Sequence, residues 1–443
     1  MNDPLHIALI GCGTVGKGVA RLLLDQAERL RARAGRDLVL RKVVVRDASK
    51  PRPSDIDPQL FTTDFCGVAK DPSIHVAVEL VGGVDWTLRA VLDLLEAGKH
   101  VVTANKALLA RHGAEVFDTA RRYQRTVAFE ASVGGGIPIV VALSQGLAAN
   151  QILALQGILN GTSNFILTAM TDQGVSYADA LKEAQHRGYA EADATLDVNG
   201  TDAVHKLAIL AQIAFGISVP LPAIERRGIA ELHEMDIRFA RELGYTIKLL
   251  AEAWLDIAPG EAGQPARKLC LHVSPVLMRH QTPLAQVRGA YNAVHVVGDA
   301  VGDTLYYGKG AGQMPTASSV VADLIDIAVG RAQRTFQTMR LWGGRKTDID
   351  VQSSASVRSR FYFRLLVADQ PGVLAEVARI LATHDISISS VIQHEALDEH
   401  EGDVVPLVIM THTARTESFR AAMAEINELG QMVVESIYFP VAD

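Results

Sequence analysis

Residues Gly11-Cys12-Gly13-Thr14-Val15-Gly16 restrict what this chain can fold into more than any other stretch. They follow the apolar run His6-Ile7-Ala8-Leu9-Ile10 and lead into apolar residues at helical spacing from Val19 to Leu30, which sets the glycines at a strand-to-helix turn. In that setting a G-x-G-x-x-G pattern has a mechanical reading. Gly11 permits the tight turn, Gly13 lets backbone approach a pyrophosphate, and Gly16 lets the helix pack closely on the strand. Thr14 and Val15 lie in the helix N-terminus that faces the phosphates. Strand-like runs recur at 38–45, 76–81 and 101–103, with a helical stretch at 85–97 closed by Gly98. Strands alternating with helices predict an α/β fold of Rossmann type, a doubly wound parallel sheet. An acid after the second strand would bond a ribose 2′-hydroxyl, but Arg46 stands there first, then Asp47 and Lys50. Cations favour a 2′-phosphate, so NADP is the preferred cofactor, with NAD accepted.

A chain of 443 residues exceeds what one hydrophobic core supports, which implies two or three domains. Its 43 Lys and Arg against 50 Asp and Glu give a net charge of -7, without the basic footprint of a nucleic-acid binder. Cys12, Cys66 and Cys270 show no C-x-x-C spacing, which argues against zinc and a disulfide framework and fits a reducing compartment. The sequence shows neither a signal-peptide pattern nor an apolar run of bilayer length, so the expected location is cytoplasmic, with no membrane partner.

From about Gln151 the elements lengthen: an apolar run at 153–158, then helical stretches at 177–187 and 202–215. The last of these is apolar nearly all round, which predicts burial, yet it carries Asp202 and Lys206 one turn apart. A buried charge pair is costly and usually signals a close structural partner or chemistry. Upstream, Gly188 to Lys206 packs four acids and a lysine into a glycine-punctuated loop entering that helix. Lys106, in Thr103-Ala104-Asn105-Lys106, follows a strand end, where open α/β sheets bind their ligands. His205 points to another helical face and reads as a structural core histidine, and no cysteine has the neighbours of an activated thiolate. The glycine-rich segment 307–312 precedes an apolar helix from about Thr316 to Gly330 that returns the chain to the first domain. Residues 341–357 are polar and read as a linker. Beyond them, strand patterns at 361–367 and 405–410 with helices at 373–383 and 418–429 make a small α+β module of its own.

These residues resemble the homoserine dehydrogenases, which interconvert L-aspartate 4-semialdehyde and L-homoserine on the route to threonine, methionine and isoleucine. The resemblance rests on the 11–16 turn, Thr103 to Lys106, Asn160-Gly161-Thr162-Ser163-Asn164-Phe165-Ile166-Leu167, the Gly188 to Lys206 signature, and Gly310-Ala311-Gly312 with Pro315-Thr316. It implies that Lys106 and Lys206 flank the reacting carbonyl, with Lys206 as the acid/base and Asp202 tuning it. It further implies substrate contacts from Glu191, Asp197, Gly161 and Thr162, and cofactor contacts from Gly82, Thr103, Asn105, Lys106 and Gly310. A monovalent cation, sodium or potassium, would sit on backbone carbonyls of Glu130, Val133, Gly135 and Ile137 in a structural role.

The C-terminal module resembles an ACT domain, a ferredoxin-like α+β fold, through Asp369-Gln370-Pro371-Gly372-Val373-Leu374 and Ile386-Ser387-Ile388-Ser389. That resemblance implies L-threonine as the amino-acid effector, with Asp369, Gly372 and Gln393 near it, and a homodimer or homotetramer. The domain expectation is then 1–137 with a return at about 308–340 for the dinucleotide, 138–307 for an α+β substrate and dimerisation domain, 341–357 as linker and 358–443 as regulatory domain. Two other readings compete. Aspartate-semialdehyde dehydrogenase, of the same pathway, would need a nucleophilic cysteine with a histidine base, and a non-catalytic amino-acid sensor would be expected to have lost the lysines.

Overall fold

A computed structural model describes residues 3–47, 49–50, 56–258, 266–343, 348–394 and 404–442. The chain forms two compact units, one of residues 1–161, 202–222 and 291–348, the other of 162–201, 223–290 and 349–443.

The first unit is built on six strands: β1 (Leu5–Ile10), β2 (Leu38–Val44), β3 (Phe61–Thr62), β4 (Val76–Glu79), β5 (His100–Thr103) and β6 (Val127–Ala128). All neighbours are parallel, in the order β3-β2-β1-β4-β5-β6. That is the doubly wound order whose reversal of direction beside the first strand opens a ligand crevice at the strand ends. Strands covered on both faces must be apolar throughout, and Ile7, Leu9, Val43, Val76, Val78 and Val102 are all fully buried. The helix Gln313–Ala328 packs on the helix Thr14–Asp25, setting Val320, Val321 and Leu324 in the core with Val19 and Leu23. Gly18 makes that approach possible, because a Cβ there would stand 3.0 Å from the Ala317 methyl. The helix Thr201–Phe215 is buried on every side from Asp202 to Ile213, as its all-round apolarity requires. A hairpin of strands Tyr291–Gly298 and Gly302–Lys309 joins the strand Ile152–Ile158 in antiparallel register.

The second unit contains a long hairpin, Tyr245–Ala258 with Ala266–Arg279, and the C-terminal strands Arg358–Ala368, Ile388–Gln393, Val404–Thr411 and Ile437–Ala442. Numbered in chain order, the four C-terminal strands lie as fourth, first, third, second, and the helices Val373–Thr383 and Thr416–Asn427 bury a shared core with them. This is the ferredoxin-like arrangement expected of an ACT domain. The module shares a sheet with the rest of its unit, because Leu277 and Met278 of the hairpin pair in parallel with Val441 and Ala442. Asp236, fully buried, accepts hydrogen bonds from Arg364 Nε at 2.8 Å, Arg364 Nη2 at 3.1 Å and the Tyr362 hydroxyl at 3.1 Å. A continuous sheet and a buried ion pair tie the module to the rest of its unit.

The stretch 341–357, expected as a linker, carries local structure. Leu341 and Trp342 are buried, Trp342 with its ring 4.5 Å from that of Phe117, and Ile349–Val351 forms a short strand beside Arg267–Leu269. Residues 344–347 of that stretch lie outside the described residues. Among the described residues no helix is long and apolar enough to cross a membrane.

Candidate active site

The crevice predicted by the strand order is a cleft of about 1100 Å³ in the first unit, lined by Gly11, Cys12, Gly13, Arg46, Asp47, Lys50, Phe65, the 80–84 loop and the helical residues Asp85, Trp86 and Thr87. Gly11 has φ +102°, and a Cβ there would meet the Leu80 carbonyl at 3.0 Å. Gly13 is different in kind. A Cβ on it would touch nothing within 4 Å and would occupy the cleft, so the glycine leaves a cradle that a pyrophosphate fits. A Cβ on Gly16 would press on the Gly11 carbonyl oxygen, 2.5 Å away. Arg46 and Lys50 are exposed along the same cleft. The Asp47 carboxylate is turned back on its own loop, accepting from Ser49 N at 2.9 Å and Ser49 Oγ at 2.6 Å.

One residue that sequence reasoning passed over organises the floor. Glu79, buried at the end of β4, accepts from the amides of Val81 and Gly82 at 2.8 and 3.1 Å and from Thr103 Oγ1 at 2.6 Å. Asn105 continues the network, donating to the Gly83 carbonyl at 2.7 Å and capping the helix Lys106–Arg122 through Leu108 N. Gly82 is thus on the cleft wall, while Thr103 and Asn105 shape it from behind.

Lys106, Asp202 and Lys206 are brought together. Asp202 Oδ1 lies 2.6 Å from Lys106 Nζ, and Oδ2 lies 2.7 Å from Lys206 Nζ and 2.9 Å from Asn160 Nδ2. Lys206 Nζ also donates to the Leu159 carbonyl at 2.6 Å. Burial alone would raise the Asp202 pKa, but the two ammonium groups outweigh it and hold the carboxyl well below its ordinary range. The lysines differ in access: the side chain of Lys106 is 41% exposed and that of Lys206 10%. One carboxylate therefore fixes two cations, one at the surface and one beneath it. Such a pair suits a reaction in which negative charge develops on an oxygen.

The other candidates are placed as follows. Gly161 begins the helix Gly161–Gln173, and the Thr162 hydroxyl donates to the Tyr189 carbonyl at 2.7 Å. Glu191 is exposed and Asp197 half-buried, both in the second unit. The Asp197 carbonyl accepts from Ser163 Oγ at 3.0 Å. In the first unit, the segment Glu130 to Ile137 turns through Gly134 and Gly135, with φ +72° and +48°. The Glu130 carboxylate faces the amides of Val140 and Val141, at 2.9 and 2.7 Å, and burial pushes its pKa up to about 7 against those donors. Gly310 is buried where a Cβ would overlap the Asn292 amide, and it is not among the residues lining the cleft. Among the described residues no three His, Cys, Asp or Glu side chains gather as a metal site. Asp369 and Gly372 lie in the loop after the strand Arg358–Ala368, Gly372 with φ +98°, and Gln393 ends the strand Ile388–Gln393.

A doubly wound sheet with an open glycine turn at a strand end, and a buried carboxylate holding two ammonium groups, suit a dinucleotide-dependent oxidoreductase. Residues 138–325 match the family model described as homoserine dehydrogenase, residues 11–130 that of the homoserine dehydrogenase NAD-binding domain, and residues 361–431 that of the ACT domain. The chain is 43% identical over 430 residues to the homoserine dehydrogenase of Pseudomonas aeruginosa, covering 96% of each. Its identity to that of Neisseria gonorrhoeae is 42%, with the same coverage. The structure superposes on a homoserine dehydrogenase from Thiobacillus denitrificans with a TM-score of 0.86 at 41% identity, covering 99% of this chain and 98% of that one. The chain belongs to the homoserine dehydrogenase family. Its activity is the NAD(P)H-dependent, reversible reduction of L-aspartate 4-semialdehyde to L-homoserine, and it carries an ACT domain.

Proposed function

We propose that Lys206 gives the proton and Lys106 the accessible positive charge at the substrate oxygen, with Asp202 holding both in register. The bridging of two lysines by one buried carboxylate carries this reading. When bound, the nicotinamide supplies hydride to the carbonyl carbon. Lys206 then protonates the oxygen as its charge develops, losing one N–H proton, and the reverse direction returns that proton to the amine. Asp202 stays ionised through the transfer, since the Lys106 ammonium still faces it once Lys206 has given up its proton. Glu191 and Asp197 take the substrate's ammonium and hydroxyl ends, with Gly161 and Thr162 as further contacts. Their residue types suit those partners, and the Thr162 bond to Tyr189 orders the same loop.

NADP is the preferred form of the cofactor. Arg46 and Lys50 line the cleft, and the carboxylate of Asp47 is engaged with Ser49. Arg46→Ala is expected to raise KM for NADPH about tenfold, the worth of one charge-assisted hydrogen bond, and to leave KM for NADH nearly unchanged. Initial rates of nucleotide oxidation with L-aspartate 4-semialdehyde measure both, and equal effects on the two nucleotides would assign Arg46 no part in the choice. Absence of turnover by the unaltered chain with either nucleotide would remove the site assignment as well.

Sodium or potassium would be held by the carbonyl oxygens of Glu130, Val133, Gly135 and Ile137, hard donors of the kind alkali ions take. The Gly135 carbonyl accepts Ser319 Oγ at 2.6 Å and so has one lone pair left for an ion. The role is structural, fixing a turn that packs on the backbone at Lys309 and Gly310.

L-threonine is the effector of the ACT domain, and the working assembly is a homodimer or homotetramer in the cytoplasm, a placement that the sparse cysteine content suits. Added L-threonine is expected to slow turnover, and Asp369→Ala with Gln393→Ala to abolish that sensitivity while preserving the rate without threonine. Calorimetry showing no threonine binding to the full chain would sink this assignment.

A further inference from the structure

We propose that Trp86, braced by Phe65, is the platform on which the adenine ring of the dinucleotide stacks. The proposal rests on the cleft at Gly11 to Gly16 being the dinucleotide site. Both aromatic residues line that cleft together with Gly13, Arg46 and Lys50. Phe65 opens the helix Phe65–Lys70 and Trp86 lies in the first turn of the helix Asp85–Glu96. Their centroids are 5.3 Å apart at an interplanar angle of 67°, an edge-to-face contact that fixes the orientation of the indole.

Packing alone does not account for the tryptophan. The helix Asp85–Glu96 anchors itself to the core through Thr87, Ala90, Val91, Leu94 and Leu95, all buried, whereas Trp86 is 49% exposed. A large apolar ring left half in water on the wall of a cleft gains by being covered. A nucleotide with its pyrophosphate at Gly13 and its ribose 2′ position toward Arg46 carries its base beyond the ribose, and the flat face of a purine is a suitable cover for an indole. The stacking would be blind to the 2′-phosphate. Trp86 therefore contributes affinity for either dinucleotide, and the choice between them is left to the cations.

The test uses 2′-phospho-ADP-ribose, which carries the adenine and the 2′-phosphate but no nicotinamide, binding to the full chain by calorimetry and tryptophan fluorescence. The unaltered chain is expected to bind it with quenching. Of the other two tryptophans, Trp342 is buried against Phe117 and Trp254 belongs to the second unit. Trp86→Ala is expected to weaken binding about tenfold, the scale of one base-aromatic stack. Trp86→Phe should keep most of the affinity and lose the quenching. Equal thermal unfolding midpoints of the unaltered chain and Trp86→Ala show that the variant is folded. Unchanged affinity of Trp86→Ala for 2′-phospho-ADP-ribose would overturn the platform alone. Failure of the unaltered chain to bind that probe would overturn the cleft assignment and the platform with it.

Discussion

Lys206→Ala should lower kcat for the reduction of L-aspartate 4-semialdehyde by about 10³-fold and leave the affinity for NADPH nearly unchanged, the range expected when a positioned proton donor is removed. The lysine is well fixed for that role. It rises from a helix that is buried on every side, and its amine bonds a carboxylate at 2.7 Å and a main-chain carbonyl at 2.6 Å. Alanine removes both the proton and the positive charge. Lys206→Arg separates the two, because a guanidinium keeps the charge but does not release a proton near neutral pH. If proton delivery is the task, arginine should be nearly as inactive as alanine; substantial recovery by arginine would make charge the principal contribution. Stopped-flow NADPH oxidation and equilibrium NADPH binding decide between them. Should Lys206→Ala keep more than about a tenth of the rate, far above what loss of an acid/base group allows, the donor is not Lys206, and Lys106→Ala becomes the variant to examine.

What the sequence disclosed here, and what it hid, follows from the range of the interactions involved. The 11–16 turn is local: six residues between a strand and a helix specify its geometry, and the cradle at Gly13 is legible without the rest of the fold. The Asp202 and Lys206 pair is also local, one helical turn apart, and the apolar surroundings within the same helix announce that it is buried. Lys106 comes to the same carboxylate from the helix after β5, 96 positions earlier than Asp202, and its position at a strand end was the only hint. Glu79 left no signal. It is a single acid closing an apolar strand, and its work depends on Thr103 being its register partner on β5 and on the 81–82 amides folding back over it. Asp236 and Arg364 were equally hidden, since 128 positions separate two residues that each look like ordinary surface charges. The long hairpin 245–279 escaped for a related reason: Lys248 and Glu252 are charged but buried, and they interrupt the period that identifies a strand.

Asp202→Asn should destabilise the first unit by about 3 kcal/mol at pH 7, toward the lower end of what loss of a partner costs a buried ion pair. The substitution preserves size but puts an NH2 donor where one of the two accepting oxygens stood, and it leaves Lys206, only 10% exposed, without its counter-charge. Lys106 is 41% exposed and can be solvated, so its share of the loss is small. The pH dependence follows from the direction of the Asp202 shift. Its carboxyl is held below its ordinary pKa in the folded chain, because Lys206 and Lys106 overcome the effect of burial. Stability from that shift is fully present above the unfolded value, about 4, and is lost as pH falls below it toward the folded value. The gap between the unaltered chain and Asp202→Asn in urea midpoint should therefore be constant from about pH 6 to 8 and narrow below about pH 4. A gap that instead grew on acidification would mean that the carboxyl titrates in the opposite sense, and equal midpoints at pH 7 would show that the ion network contributes no net stability. In the latter case the three charges would be retained for chemistry alone, and Asp202→Asn would still be expected to lower kcat, because Lys206 would lose the carboxylate that fixes its amine.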